Sequence, residues 1–114
     1  MALPSIFKMH EKMTRDPFEG VEFKNDRGDL LEHHNGFDLY GWWIPKRSMY
    51  RIIAEREEPR SLFEAVSLDP RVYLAHLEES EREERLKAAA LKLARQRIDT
   101  GKYENQQRCI VEIG

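Results

Sequence analysis

The chain has 114 residues, of which 35% are charged and 40% are hydrophobic, and its formal net charge is −2. This length fits one domain over residues 1–114, with a modest core and a heavily ionic surface. The small negative charge argues against a general electrostatic affinity for nucleic acid or for anionic membranes. No apolar run approaches the roughly 20 residues that a membrane-spanning helix needs, so we expect no membrane contact.

The start of the chain and its cysteine content bear on its location. Residues 1–4 lack the charged and apolar regions of a signal peptide. The single cysteine, Cys109, excludes an internal disulfide and fits a reducing compartment. We therefore expect a cytoplasmic protein in which Cys109 is a small core residue on a strand.

The N-terminal part of the sequence predicts a short helix followed by an antiparallel meander. Apolar residues recur at helical spacing within residues 5–15. Within residues 21–44, strand-like stretches at 21–24, 30–34 and 37–44 predict three consecutive strands.

Asn35-Gly36 is the strongest local signal in this region. A type I′ hairpin turn needs a positive φ at both central residues, and this dipeptide supplies it. A turn of this length pairs His34 with Phe37 and Leu31 with Tyr40. Both faces of the third strand then carry large apolar groups, which predicts either helices on both faces or an aromatic cluster exposed to a partner.

The middle of the chain predicts helical structure. Pro45 suits a helix start, residues 46–57 show apolar groups at helical spacing, and Pro59 would end that helix. Residues 61–66 predict a further short helical turn. The buried stripe of the middle helix would comprise Met49, Ile52 and Ile53.

Residues 70–99 predict one long charged helix; the alternative is a break into two helices within residues 78–85, which contain no apolar residue. Asp69-Pro70 is a normal helix start and Thr100-Gly101 a normal stop. Acidic residues crowd the first half and basic residues the second, which suits the helix dipole and complements an antiparallel copy. We therefore expect a homodimer. The residues predicted to contact a second copy or a partner helix are Glu81, Glu84, Arg85, Lys92 and Arg95.

These elements predict an α+β fold. A small antiparallel sheet of three to four strands, the meander 21–44 plus a C-terminal strand at 107–113, would pack with three helices that include the long charged helix 70–99.

The aromatic–basic segment, residues 40–51, is the best functional candidate. Tryptophan, tyrosine and arginine dominate protein–protein hot spots, and aromatic groups beside cations can also stack bases and neutralise phosphates. The alternative is that Trp43 is core, Trp42 covers a helix and the cations are ordinary surface groups. The predicted partner-binding residues are Tyr40, Trp42, Lys46, Arg47, Tyr50 and Arg51.

Catalytic and metal-binding signals are weak. The cluster Glu32-His33-His34 carries ligands that zinc accepts, but neighbouring residues on a strand point to opposite faces. His10 or His76 would have to join by folding. Because no nucleophile motif or phosphate-binding loop is present, we expect neither an enzyme nor a cofactor.

The sequence therefore predicts a small non-enzymatic protein-binding module. It would serve as an accessory, regulatory or inhibitory subunit of a larger complex, of the kind that phages and other mobile elements often carry. A nucleic-acid-binding regulator that uses residues 40–51 is the second hypothesis. A metal-dependent enzyme around residues 32–34 is the weakest.

Overall fold

The computed structural model describes residues 28–113, which form a five-stranded mixed sheet with one long helix packed against it. The strands follow chain order across the sheet, and the first four form an antiparallel meander. The helix then carries the chain back, so that the last strand lies parallel to the fourth at the sheet edge. The elements are β1 (Asp29–His34), β2 (Phe37–Ile44), β3 (Met49–Arg56), β4 (Ser61–Leu68), α1 (Glu79–Thr100) and β5 (Arg108–Glu112).

This architecture corrects the predicted fold class. The chain is α+β, but the three- to four-stranded antiparallel sheet with three helices is wrong. The predicted middle helix over 46–57 is largely β3, and the predicted helical turn over 61–66 lies within β4. The predicted helix over 5–15 and strand over 21–24 lie outside the described residues.

The misassigned strands are buried on both faces. Ile52 and Ala54 of β3 face α1, whereas Met49 and Ile53 lie on the opposite face, and all four are buried. The sequence of such a strand is a nearly continuous run of apolar residues. Hydrophobic periodicity cannot distinguish this run from a buried helix.

The Asn35-Gly36 hairpin is confirmed. Asn35 has φ +45° and Gly36 has φ +86°, and His34 lies opposite Phe37. A register shift between Leu30 and Glu32 then places Leu30, not the predicted Leu31, opposite Tyr40. This irregularity is a bulge in β1, which a hairpin signal in the sequence does not reveal.

The long helix is shorter than predicted. It starts at Glu79 rather than residue 70, and it ends as expected before Gly101, which has φ +67°. Leu86, Ala90 and Ala94 recur every four residues and bury one stripe against the sheet. The alanines let the helix approach β3 and β4 closely.

The main core lies between α1 and the sheet. Neighbouring strands contribute large side chains to this layer, among them Phe37, Leu39, Ile52 and Phe63. Trp43 is partly buried at its edge, as one alternative for the aromatic–basic segment predicted.

The C-terminal strand is present but pairs differently from the prediction. Cys109 is buried opposite Ala65 of β4, and burial raises the pKa of its thiol. The expected core position of Cys109 is confirmed. Between residues 28 and 113, no helix has the length and apolar character needed to cross a lipid bilayer.

Candidate interaction surface

The aromatic–basic segment forms a hairpin instead of a strand followed by a helix. β2 ends at Ile44, a 3-10 turn occupies Pro45–Arg47, and β3 starts at Met49. Ser48 adopts φ +45° and its N–H donates to the Pro45 carbonyl at 3.1 Å. Pro45 therefore starts a tight 3-10 turn and not a long helix. The fixed φ of proline suits the first position of either.

The hairpin distributes the predicted partner-binding residues over different surroundings. One group lies in the interior: Tyr40, Tyr50 and Arg51. Trp42 is partly buried, and a Cβ atom added at Gly28 would overlap its indole ring. Lys46 and Arg47 are exposed at the turn.

Tyr50 lies on the face that packs under α1. Its ring stacks against Trp43 with 6.5 Å between the ring centroids. Burial, followed by the nearby charges of Glu83, Asp29 and Glu84, raises the pKa of Tyr50 to about 12. The surroundings of Tyr50 therefore disfavour its phenolate form.

Arg51 belongs to a buried ion cluster on the opposite face of the sheet. Its Nε donates to Glu64 Oε2, and Arg108 Nε donates to Glu64 Oε1 at 2.6 Å. Glu64 is fully buried and Arg51 is 6% exposed. An acid inside the apolar run of β4 is the sequence signal for such a cluster, because buried carboxylates are almost always paired.

The segment between β4 and α1 is organised by one buried carboxylate. Asp69 accepts hydrogen bonds from the N–H groups of Tyr73 and Leu74, both at 2.9 Å. Its own N–H donates to the Ser48 carbonyl at 3.0 Å. Asp69 therefore fixes the loop and ties it to the turn that carries Lys46 and Arg47.

This loop presents two large apolar side chains to solvent. Val72 is 58% exposed and Tyr73 is 50% exposed. Val72 also has φ +50°, a strained conformation for a β-branched residue. Such strain persists only where the surroundings enforce it, and it is common at ligand-binding sites.

The loop and the turn meet at one end of the sheet. A groove of about 250 Å³ lies there, and it is lined by Pro70, Arg71, Tyr73, Glu112 and Ile113. We call this region the sheet-end surface and define it by its exposed residues Lys46, Arg47, Arg71, Val72 and Tyr73. Tyrosine and arginine, two of the residue types that dominate protein-recognition hot spots, are both exposed on this surface.

The sequence prediction missed the loop half of this surface. Val72 and Tyr73 fall within the predicted helix over 70–99 and are not among the predicted partner-binding residues. Only the Asp69-Pro70 dipeptide pointed to the region, and it was interpreted as a helix start.

The predicted partner-helix residues lie along the exposed side of α1. Arg95 forms a two-bond contact with Glu32 of β1, with its Nε 2.8 Å from Glu32 Oε2. This contact ties α1 to the meander, so Arg95 serves the fold of one chain. The other predicted contact residues are exposed: Glu81, Glu84, Arg85 and Lys92.

The residues of the 32–34 cluster have separate partners. Glu32 binds Arg95, His33 contacts Asp38, and His34 Nε2 lies 2.7 Å from Asp99 Oδ1. Within residues 28–113, no group of three or more histidine, cysteine or acidic side chains could hold a metal ion. The predicted additional ligand His10 lies outside the described residues.

The contact between Glu32 and Arg95 is expected to make stability depend on acid pH. Hydrogen bonding to Arg95 lowers the pKa of the Glu32 carboxyl. The resulting stabilisation is therefore complete above the pKa of an unfolded glutamate, and it is lost as the pH falls through the lower pKa of the folded state. Arg95→Met should reduce the free energy of unfolding at neutral pH and flatten its decline towards acid pH.

Urea denaturation over a pH series measures this effect. Arg85→Met, which removes another exposed cation of α1, should leave the acid-dependent decline as in the wild type. Equal declines in Arg95→Met and the wild type would contradict the assignment.

No protein-family model matches the chain, and comparisons with curated proteins and with solved structures give no match either.

Proposed function

We propose that this protein is a cytoplasmic, non-enzymatic protein-binding module that contacts its partner through the sheet-end surface. The observation that carries this proposal is the exposure of Val72 and Tyr73 on a loop held by buried Asp69. Its biological role would be that of an accessory, regulatory or inhibitory subunit.

The loop geometry favours tight recognition. Binding can bury the half of the Tyr73 side chain that is still exposed, and few rotatable bonds must be ordered to do so. Because Asp69 already fixes the backbone of residues 73 and 74, binding need not order that segment. Less of the binding energy is therefore spent on ordering residues 73 and 74.

The charges of the sheet-end surface indicate the kind of partner. Lys46, Arg47 and Arg71 are exposed, and Glu112 also lines the groove beside Tyr73. A partner with a pocket for an aromatic side chain and acidic groups around it would complement this arrangement.

The same cations support a nucleic-acid-binding regulator as the second candidate. Tyr73 could stack on a base while Lys46 and Arg71 contact phosphates. The nucleic-acid hypothesis based on residues 40–51 includes Arg51, but this side chain lies in the interior within the buried ion cluster. The net charge of −2 further favours the protein partner.

Tyr73→Ala is expected to weaken partner binding by about 2 kcal/mol or more, which is roughly a 30-fold rise in Kd. The partner would be captured from lysate of the native host with nuclease present, identified, purified and titrated against each variant by calorimetry. Because Tyr73 is half exposed, its removal should change the free energy of unfolding by no more than about 0.5 kcal/mol.

Leu30→Ala is the matched control, because Leu30 is also 50% exposed but lies on β1. It should bind like the wild type. Trp42→Ala tests the site predicted from sequence. Loss of binding in Trp42→Ala but not in Tyr73→Ala would reject the sheet-end surface, and a complex that disappears with nuclease would favour the second candidate.

A further inference from the structure

The outer edge of β5 carries backbone groups that face away from the rest of the described sheet. The Gln107 carbonyl accepts from Glu64 N–H, and Ile113 N–H donates to the Leu68 carbonyl, both at 2.8 Å. Since strand residues alternate, Cys109 and Val111 also direct their backbone groups to β4. The backbone N–H and C=O groups of residues 108, 110 and 112 therefore point outward, and no described strand lies beyond them.

The side chains of this edge favour pairing. Ile110 is 43% exposed and lies between Arg108 and Glu112 along one face of the strand. Natural proteins protect edge strands with short length, charges, lysine, proline or a bulge; β5 is short and carries Arg108 and Glu112, but it has no lysine, proline or bulge. By contrast, β1, the outermost strand on the other side of the described sheet, carries the register shift between Leu30 and Glu32.

We propose that two copies of the chain dimerise by antiparallel pairing of β5 around a twofold axis at Ile110. In this register Ile110 faces Ile110 of the partner subunit, and Arg108 faces Glu112 of the partner subunit. Cys109 faces Val111 of the partner subunit on the α1 side of the sheet. The interface is isologous, as a twofold dimer requires.

The sequence of β5 is complementary to its own reverse. When two copies of Arg-Cys-Ile-Val-Glu run antiparallel, opposite charges face each other at both ends. Apolar groups face each other at the three positions between them. Directly opposed unlike charges stabilise an antiparallel pair, whereas like charges would destabilise it. A parallel arrangement would face Arg108 with its own copy, so the charges also select the orientation.

The backbone pattern agrees with this register. In antiparallel pairs, hydrogen-bonded and non-hydrogen-bonded positions alternate. The outward-facing residues 108, 110 and 112 occupy the hydrogen-bonded positions when Ile110 is at the centre. The result is a ten-stranded sheet continuous across the dimer.

Sedimentation equilibrium tests the dimer at the highest concentration at which the protein stays soluble. The wild type should show twice the 13.5 kDa mass of one chain. Ile110→Lys places two like charges at the axis, and Ile110→Pro removes an outward N–H that has no acceptor among residues 28–113. Both should shift the mass to that of a monomer with an unchanged circular dichroism spectrum, whereas Leu30→Lys on β1 should remain dimeric.

Ile110→Cys provides an independent geometric test. Hydrogen-bonded antiparallel positions have Cα atoms about 5.5 Å apart, within the range that a disulfide spans. Mild oxidation should link Ile110→Cys chains into dimers, and Leu30→Cys chains should stay unlinked. A monomeric wild type, or a dimer that persists in both Ile110→Lys and Ile110→Pro, would overturn the proposal; the second result would favour an interface along α1.

Discussion

Replacing Glu64 with glutamine is expected to lower the free energy of unfolding by about 3–5 kcal/mol, because it removes the negative charge that two buried or partly buried arginines share. Glu64 lies on β4, which is paired on both sides by β3 and β5, and is fully buried. Glutamine preserves the shape of the side chain but leaves Arg51 and Arg108 without their common carboxylate. The loss would be a large part of the roughly 5–15 kcal/mol that stabilises a domain of this kind.

Urea denaturation followed by circular dichroism measures this change. Glu104→Gln is the matched control, since it makes the same chemical change at an exposed position and should alter stability by no more than about 0.5 kcal/mol. Combining Glu64→Gln with Arg51→Met should cost less than the sum of the two single changes, because the pair is in direct contact. A loss for Glu64→Gln as small as that of the control would contradict the buried ion cluster.

The local turn chemistry could be predicted from the sequence because it depends on neighbouring residues alone. Asn35-Gly36 specifies positive φ at both positions, and the structure has the expected hairpin. The helix end before Gly101 follows the same logic. The bulge in β1 could not be anticipated, because it depends on how the strand meets its neighbour.

The strands β3 and β4 show where periodicity fails. Ile52 and Ile53 are adjacent and face opposite sides, so both belong to a core but to different layers. Pro45 and Pro59 were interpreted as the two ends of a helix, yet they lie in the turns that flank β3. The β-branched residues and the strand-like length were the better indication.

The loop half of the sheet-end surface was hidden by a competing signal. Asp69-Pro70 has the form of a helix start, and the apolar residues after it fit a helical stripe. Asp69 instead caps a compact loop, so that Leu74 turns inward while Val72 and Tyr73 turn outward. The contact between Asp69 and the Ser48 turn, which joins segments distant in sequence, accompanies the loop conformation and is not visible in the local pattern.

A second large loss of stability is expected when the aromatic cluster beneath the end of α1 is disrupted. Phe63 is fully buried, stacks on Tyr103 with 4.9 Å between the ring centroids, and meets the edge of Phe37 at 5.8 Å. Arg56 lies over the Phe37 ring at 4.8 Å and closes the cluster. Phe63→Ala should therefore lower the free energy of unfolding by about 3–5 kcal/mol, because it removes a buried ring and leaves a cavity.

Phe63 connects parts of the chain that are distant in sequence, so its loss should affect more than one of them. Tyr103, which lies between α1 and β5, loses its stacking partner and should become more mobile together with β5. Hydrogen exchange of the β5 amides should therefore accelerate more than that of the β1 amides. Phe63→Leu keeps most of the volume and should cost clearly less than Phe63→Ala. If both substitutions cost less than about 1 kcal/mol, the cluster would not be the tightly packed unit that these contacts describe.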